Sequence, residues 1–365
     1  MVARADITFE AMLPTEADAL AFKECFDRND QSKDLLTVRW HFIDNVLKST
    51  KVLFAKAALF ESMPKVIGAI YAVLPNRFFV SGNVVLGIQS LDTLTDLAFR
   101  RMGLFTDLAD EMYRNCAQNG YKLVYGIPNK NSAHGFYTKL GWINLDPLPL
   151  LIKPLRLSYI LRRLPYLRTL AHFLPDVRLQ RPLFRRHLNL KGVQLVPIVR
   201  FDERADELWY SFRNATCKVA VERDKNYLNW RIFEKPNGGY SAVGLMSTDQ
   251  SLLGYVIFKG SPRSGQGAGA IVELIFRPDL YQVGAVLLDY AVEKLAQLGC
   301  DAVLAMNFGH SINHDIFMNS GFLNVPPRFV PDELHFGARS FDHAYDAAIA
   351  DRRNWYLSLC DSDTD

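Results

Sequence analysis

The chain repeats the order of its elements, and that order restricts the folds open to it. The first half runs strand (7–13), helix (14–26), two strands in a hairpin (52–60 and 66–74) and another strand (84–95). A helix (103–120), a short strand (122–128), a short helix (132–141) and a return to strand complete it. The second half follows the same sequence: strand 193–201, helix 203–215, strands 240–246, 252–260 and 270–276, and a long helix over 281–299. Strand 300–308, short helix 313–321 and a strand beginning at 322 close the series. Apolar spacing of three and four marks the helices, and Gly120 and Gly299 stop the two long ones. Apolar runs between turn residues mark the strands. Single residues also align. Asp34 stands six before Trp40, and Asp224 six before Trp230; Gly68 answers Gly254, and KLGWIN (139–144) answers NSGFLN (319–324). The offsets fall from 190 to 186 to 180, as they do when copies differ in their loops. The period is too long for a solenoid, so two duplicated domains are expected. A chain of 365 residues has the length for two. The expected division is 1–152, a joining segment 153–191, a second domain 192–345, and a C-terminal helix with an acidic tail at 346–365.

Overall charge gives no argument for one class of partner. A formal charge of +3 is too small for bulk binding of nucleic acid. Cys25, Cys116, Cys217, Cys300 and Cys360 form no CxxC pair, so neither a metal site nor a disulfide framework is expected. MVARADITFE carries no apolar h-region, and no apolar run approaches membrane-spanning length; a cytoplasmic protein is expected. The joining segment is the exception in charge. Lys153, Arg156, Arg162, Arg163, Arg168, Arg178, Arg181, Arg185, Arg186 and Lys191 face one acid, Asp176. The segment is therefore +9 and the remainder −6. With its leucine stripes it suits an anionic surface, such as the inner membrane face, or an anionic substrate. A linker with solvated arginines is the plain alternative, and contact with nucleic acid such as tRNA is a third.

The chemistry concentrates in two places of the first half. A strand ends at Thr95–Asp96, and a helix begins near Gly103 after Arg100 and Arg101. Helix starts carry unpaired N–H groups and the positive end of the dipole, and they hold phosphate. A missing Cβ at Gly103 lets backbone approach a pyrophosphate. Downstream, a strand ends at Pro128–Asn129, and a short helix carries Tyr137 ahead of Gly141–Trp142. Proline cannot donate to a neighbouring strand, so two parallel strands splay there and open a slot. A tyrosine beside that slot is a neutral acid at pH 7.

These residues resemble the GNAT acyltransferase superfamily. Arg100-Arg101-Met102-Gly103-Leu104-Phe105 is similar to its Q/R-x-x-G-x-G/A phosphate turn, with Phe105 in place of a small residue. PNKNSAHGFYTKLGW (128–142) is similar to its Asn, Ala, Tyr, Gly-Phe segment through Asn129 or Asn131, Ala133, Tyr137, Gly141 and Trp142. The resemblance implies an α/β fold of two tandem domains, each a mostly antiparallel mixed sheet with a splayed parallel strand pair flanked by helices. It implies acetyl-CoA as co-substrate, without metal, and an amine acceptor, such as an amino sugar or another small polar molecule. Backbone from Leu97 to Thr106 would hold the pyrophosphate, with Thr95 and the strand edge 91–97 pairing with pantetheine. Tyr137 would protonate the departing thiolate. A base would take the amine proton: Asp92, Asp96 or Glu111, with Asp92 best placed in mid-strand. His134 is expected to be exposed.

The second copy lacks the cradle. VELIFRPDLYQVGAVLL has no R-x-x-G run, Gly284 lies one turn inside the helix, and Phe317 stands where the tyrosine would be. A degenerate copy without turnover is expected. Asp224, Asn229, Trp230 and Arg231 are either substrate contacts or parts of a capped, packed helix, and the second is favoured. Two other functions remain open: a Fem-like aminoacyl-tRNA-dependent peptidyltransferase, and a non-catalytic acyl-CoA-binding protein.

Overall fold

The computed structural model describes residues 6–58, 65–148, 150–163, 177–179, 192–260, 267–326 and 335–362. In the first unit the chain forms β1 (Thr8–Ala11), α1 (Glu16–Asp27), α2 (Leu35–Phe42), β2 (Val52–Ala58), β3 (Lys65–Val80) and β4 (Asn83–Thr95). It continues through α3 (Leu104–Gln118), β5 (Leu123–Gly126), α4 (Lys130–Lys139) and β6 (Ile143–Asn144). Thr15 caps α1 by accepting from the Asp18 amide, and Asp34 caps α2 by accepting from Thr37. Ser81 and Gly82, both with positive φ, close the β3–β4 hairpin. Neighbouring strands are antiparallel except β4 and β5, which run parallel only from Ile88–Val124 to Ser90–Gly126. Beyond that point they part. β4 also bulges there: Ile70 faces Leu94 and Ala72 faces Leu91, so Asp92 and Thr93 share one partner position.

The second unit contains β7 (Leu150–Pro154), α5 (Leu157–Arg163), β8 (Val193–Ile198), α6 (Glu203–Thr216), β9 (Val219–Val221) and α7 (Lys225–Leu228), which runs into a π turn at Asn229–Phe233. There follow β10 (Tyr240–Ser247), β11 (Leu252–Lys259), β12 (Ala268–Phe276), α8 (Tyr281–Gln297), β13 (Ala302–Met306), α9 (Ile312–Asn319) and β14 (Leu323–Asn324). Its sheet is ordered β8-β10-β11-β12-β13-β7-β14. The first sheet is ordered β1-β2-β3-β4-β5-β15-β6, where β15 is Gly337–Ser340.

The two orders are the same, and so is the register. Ala69 faces Thr95 as Tyr255 faces Ile275; Ala72 faces Leu91 as Phe258 faces Ile271. The offsets are 186 in one strand and 180 in the other, and both hairpins bulge at the same step. The parallel pair recurs as well, from Ala268–Ala302 to Ala270–Leu304. The chain therefore holds two sheets of mixed strand direction with one strand order and one register, as the duplication implies.

The expected division of the chain is corrected. The first unit is Met1–Pro147 with Asp332–Asn354, and the second is Leu148–Pro331 with Trp355–Asp365. β15 lies antiparallel between β5 and β6, and β7 lies antiparallel between β13 and β14. Each half of the sequence thus supplies the strand that fills the gap in the other half's sheet. Ladder hydrogen bonds select a free strand edge, not a neighbour in sequence. A short helix, α10 (Asp346–Ala350), follows β15 in the first unit.

The start of the expected joining segment also differs from a solvated linker. Lys153 is buried in β7, where its ammonium donates to the Ser320 carbonyl, and burial lowers its pKa. Arg156 pairs with Asp301 at 3.1 Å. Residues 164–176 and 180–191, which hold Arg168, Arg181, Arg185, Arg186 and Lys191, lie outside the described residues. The acidic tail begins buried: Asp361 is 1% exposed and Ser362 4%.

Candidate functional site

The phosphate turn is built from backbone. Asp96 ends β4 and caps a 3-10 turn, Leu97–Phe99, by accepting from the Ala98 amide. Arg101 and Gly103 then both take positive φ, +67° and +79°. Gly103 is the N-cap of α3 and offers no side-chain cap. Its carbonyl accepts from Thr106 and Asp107, so the Leu104 and Phe105 amides head the helix. Arg100 and Arg101 are exposed beside it, Met102 is half-buried, and Leu104 anchors the helix in the core. Phe105 has a packing role. Its ring meets the Phe136 ring edge-on at 5.2 Å, and Gly135 gives it room, since a Cβ there would lie 3.0 Å from Phe105.

Where β4 and β5 part, a cavity of about 210 Å³ opens. β4 lines it with Ser90, Leu91, Asp92 and Thr93, and the end of β5 with Gly126, Ile127, Pro128 and Asn129. Phe26, Gln31 and Lys33 line it from the α1–α2 segment, and Ser132, Phe136 and Trp142 from α4 and its exit. Asp92 is held at φ +49° by the bulge and is ion-paired with Lys33, whose ammonium also lies 5.3 Å from the centre of the Phe26 ring. Ser90 opens a buried row of hydroxyls: Ser90 Oγ is 3.0 Å from Tyr71 Oη, which is 2.6 Å from Tyr113 Oη. Trp142 Nε1 donates to that Tyr113 hydroxyl at 2.9 Å. Burial raises the pKa of both tyrosines, so the row stays protonated.

The remaining expected residues fall as follows. Asn129, not Asn131, faces the cavity; its Oδ1 accepts from the Asn131 and Ser132 amides and so caps α4, while Asn131 is exposed. Tyr137 lies outside the cavity lining, and its hydroxyl donates to the Phe336 carbonyl at 3.2 Å. Burial pushes its phenol upward. Thr95 pairs with Ala69, and Leu97 is exposed. Asp96 accepts from Asn29 as well as Ala98, and Glu111 pairs with Arg114, so neither of these candidate bases reaches the cavity. His134 is exposed. Sequence reasoning missed Lys33, Ser90 and Phe26. The duplication could have flagged Lys33, because it precedes the cap Asp34 as Arg223 precedes the cap Asp224.

Among the described residues the second unit has no such cradle. α8 begins at Leu280 without a side-chain cap, Arg277 pairs with Asp279, and a Cβ on Gly284 would meet Ile316 at 2.6 Å. Phe317 is buried against Phe322. Asp224 caps α7, Asn229 bonds the Phe201 backbone, Trp230 is buried, and Arg231 donates to the carbonyls of Cys360 and Ser362. The packed-helix alternative is the one observed.

Residues 16–144 match the family model described as Acetyltransferase (GNAT) domain. A comparison with curated proteins found no match. Among solved structures, a GCN5-related N-acetyltransferase from Anabaena variabilis aligns with TM-score 0.61 at 11% identity, over 92% of this chain and 73% of its own. A probable N-acyltransferase from Enterococcus faecalis, titled a conserved protein of unknown function, aligns with TM-score 0.59 at 12% identity, over 92% of this chain and 72% of its own. N-myristoyltransferase from Saccharomyces cerevisiae, solved with myristoyl-CoA and inhibitors, aligns with TM-score 0.59 at 9% identity, over 93% of this chain and 81% of its own. At such identities the likeness to these structures is one of fold.

Proposed function

We propose that the first unit, whose residues 16–144 match the GNAT acetyltransferase domain model, works as a GNAT acyltransferase and transfers an acetyl group from acetyl-CoA to a primary amine. One observation carries the reading: the open, glycine-capped start of α3 stands in the same unit as the slot between the parted strands β4 and β5. The first suits a pyrophosphate and the second a thioester arm.

In this reading the amides from Leu97 to Thr106 bind pyrophosphate, with Arg100 and Arg101 adding charge. The stretches Leu91–Thr95 and Ile127–Asn129, where β4 and β5 have parted, receive the pantetheine arm. The amine nitrogen attacks the thioester carbonyl, a C–N bond forms and the C–S bond breaks. Asp92 takes the proton the amine loses, directly or through one water. Tyr137 returns a proton to the thiolate once its O–H turns from Phe336 toward the slot. The second unit binds no acyl-CoA. Contact of 153–191 with an anionic membrane belongs to the proposal on its charge of +9 alone; no helix among the described residues is long and apolar enough to cross a membrane.

The test is calorimetric titration with acetyl-CoA beside Gly103→Asp. The expected result is about one site per chain, lost in the variant, because a Cβ and a negative charge enter a left-handed turn facing phosphate. No binding by the native chain would overturn the proposal.

A further inference from the structure

The second unit fills its own slot with chain, and the way it does so says what the first unit's slot receives. This inference rests on the acyltransferase reading and names its acceptor. The residue offset that carries Asp34 onto Asp224 carries Lys33 onto Arg223. The offset that carries β4 onto β12 carries the bulge residues Asp92 and Thr93 onto Val272 and Glu273. In both units, therefore, a cation one residue before a helix cap reaches a carboxylate on the bulge: Lys33 to Asp92, and Arg223 to Glu273 at 2.8 Å.

The second unit adds a further carboxylate. Residues 355–362 cross the place where β12 and β13 part. Trp355 lends its carbonyl to His310 Nε2 at 3.0 Å, in the turn after β13. Tyr356 donates to Glu273, and Ser358 Oγ donates to Glu273 at 2.9 Å. Asp361 then takes the Arg223 Nη2 donor, while Nη1 holds the Val221 carbonyl. Arg223 is wholly buried, with a carboxylate of the bulge on one side and a carboxylate of the seated segment on the other.

The first unit has the same cation and the same bulge, and its slot is a cavity. Lys33 lines that cavity, and its ammonium carries three donors, of which Asp92 takes one. A carboxylate on the acceptor can take a further donor of that ammonium, as Asp361 takes a second donor of Arg223. We infer that the acceptor is a carboxylate-bearing amine, an amino acid or an acidic peptide, and that Lys33 receives its carboxylate as Arg223 receives Asp361. Lys33 is thus a specificity-determining residue.

Thiol release from acetyl-CoA by the full chain tests this, with acceptors in matched pairs. One pair is glycine and glycinamide; the other is an Asp-containing tripeptide amide and its Asn counterpart. The native chain should favour the acid of at least one pair by about tenfold to a hundredfold in kcat/KM, the range for one hydrogen bond to a charged group. The pair that shows it separates amino acid from peptide. Lys33→Met should bring that ratio close to one, Lys33→Arg should keep it, and Lys33→Glu should reverse it. Acetyl-CoA binding by calorimetry confirms that each variant is folded. Equal use of acid and amide by the native chain overturns the inference, as does a ratio that survives Lys33→Met. Failure of the native chain to bind acetyl-CoA is a different result, and it overturns the acyltransferase reading itself.

Discussion

Asp92 occupies backbone that a non-glycine residue rarely enters, at φ +49° in the middle of a strand. The bulge that forces this also turns its carboxylate into the cavity. Strain of this kind, on the order of 1–3 kcal/mol, persists where the surrounding structure holds it. As the proposed base, Asp92 would account for about 10²–10⁴ in rate, so Asp92→Asn should lower kcat by that factor while acetyl-CoA still binds. Single-turnover kinetics beside calorimetry checks both. Tyr137 gives the pH counterpart. Burial raises its pKa above the ordinary value of 10.0, so its neutral, proton-donating form persists to higher pH than a free phenol's. The pH–rate profile should show no alkaline limb from Tyr137 up to about pH 10, and a limb near 10 that vanishes in Tyr137→Phe would contradict the assignment. The identity of Tyr137 as a helix residue beside a strand end was legible in the sequence. Its partner was not, because Phe336 lies 199 residues away and local spacing carries no trace of it.

Most elements of this chain were legible because they are local. The stops at Gly120 and Gly299 and the apolar stripes act within one or two turns, and the two long helices keep within a few residues of their expected bounds, whereas α2 was not expected and β3 runs six residues past its expected end at 74. Sheet membership was not legible. Residues 150–154 read as a strand, yet nothing in them says that β13 and β14 are their partners. For β15 the decisive contacts are also remote. Asp146 accepts from the Phe336 amide at 2.6 Å and from His335 Nδ1 at 2.7 Å, while Arg352 donates to the Asp146 carbonyl. Gly337 lets the strand lie against the site, since a Cβ there would meet the Tyr137 ring at 2.7 Å and Trp142 at 3.0 Å. Asp146 is half-buried, and hydrogen bonds to a charged group contribute about 1.5–3 kcal/mol. Asp146→Ala should therefore destabilise the first unit by about 2–3 kcal/mol in urea unfolding. Gly337→Ala should lower activity as well as stability, because it pushes on Tyr137.

Two sheets that each borrow a strand make a chain whose sequence halves are not its folding units. The first unit takes β15 with Phe336 and Ala338, both wholly buried, from the end of the chain. Without them β5 and β6 lose a common partner, and bare strand edges bordered by apolar surface associate. The second unit takes β7 from the first half and seats residues 355–362 over Arg223. Losing that segment removes Asp361 from the buried Arg223 and the Tyr356 and Ser358 donors from the buried Glu273, and removing one partner from such a buried ionic cluster costs about 3–5 kcal/mol. A fragment ending at residue 147 is therefore expected to lack a cooperative thermal transition and to bind no acetyl-CoA. Adding a peptide of residues 335–354 should restore both, because it supplies β15, the partner of Tyr137 and the partners of Asp146. Differential scanning calorimetry and acetyl-CoA titration of the fragment, with and without peptide, decide the matter. Peptides with Phe336→Asp should fail to rescue, since a carboxylate cannot replace a ring packed beside Tyr125 at 6.5 Å. A sharp transition and full binding by the fragment alone would mean that β5 and β6 close without β15, and the exchange of strands would then be dispensable to the site.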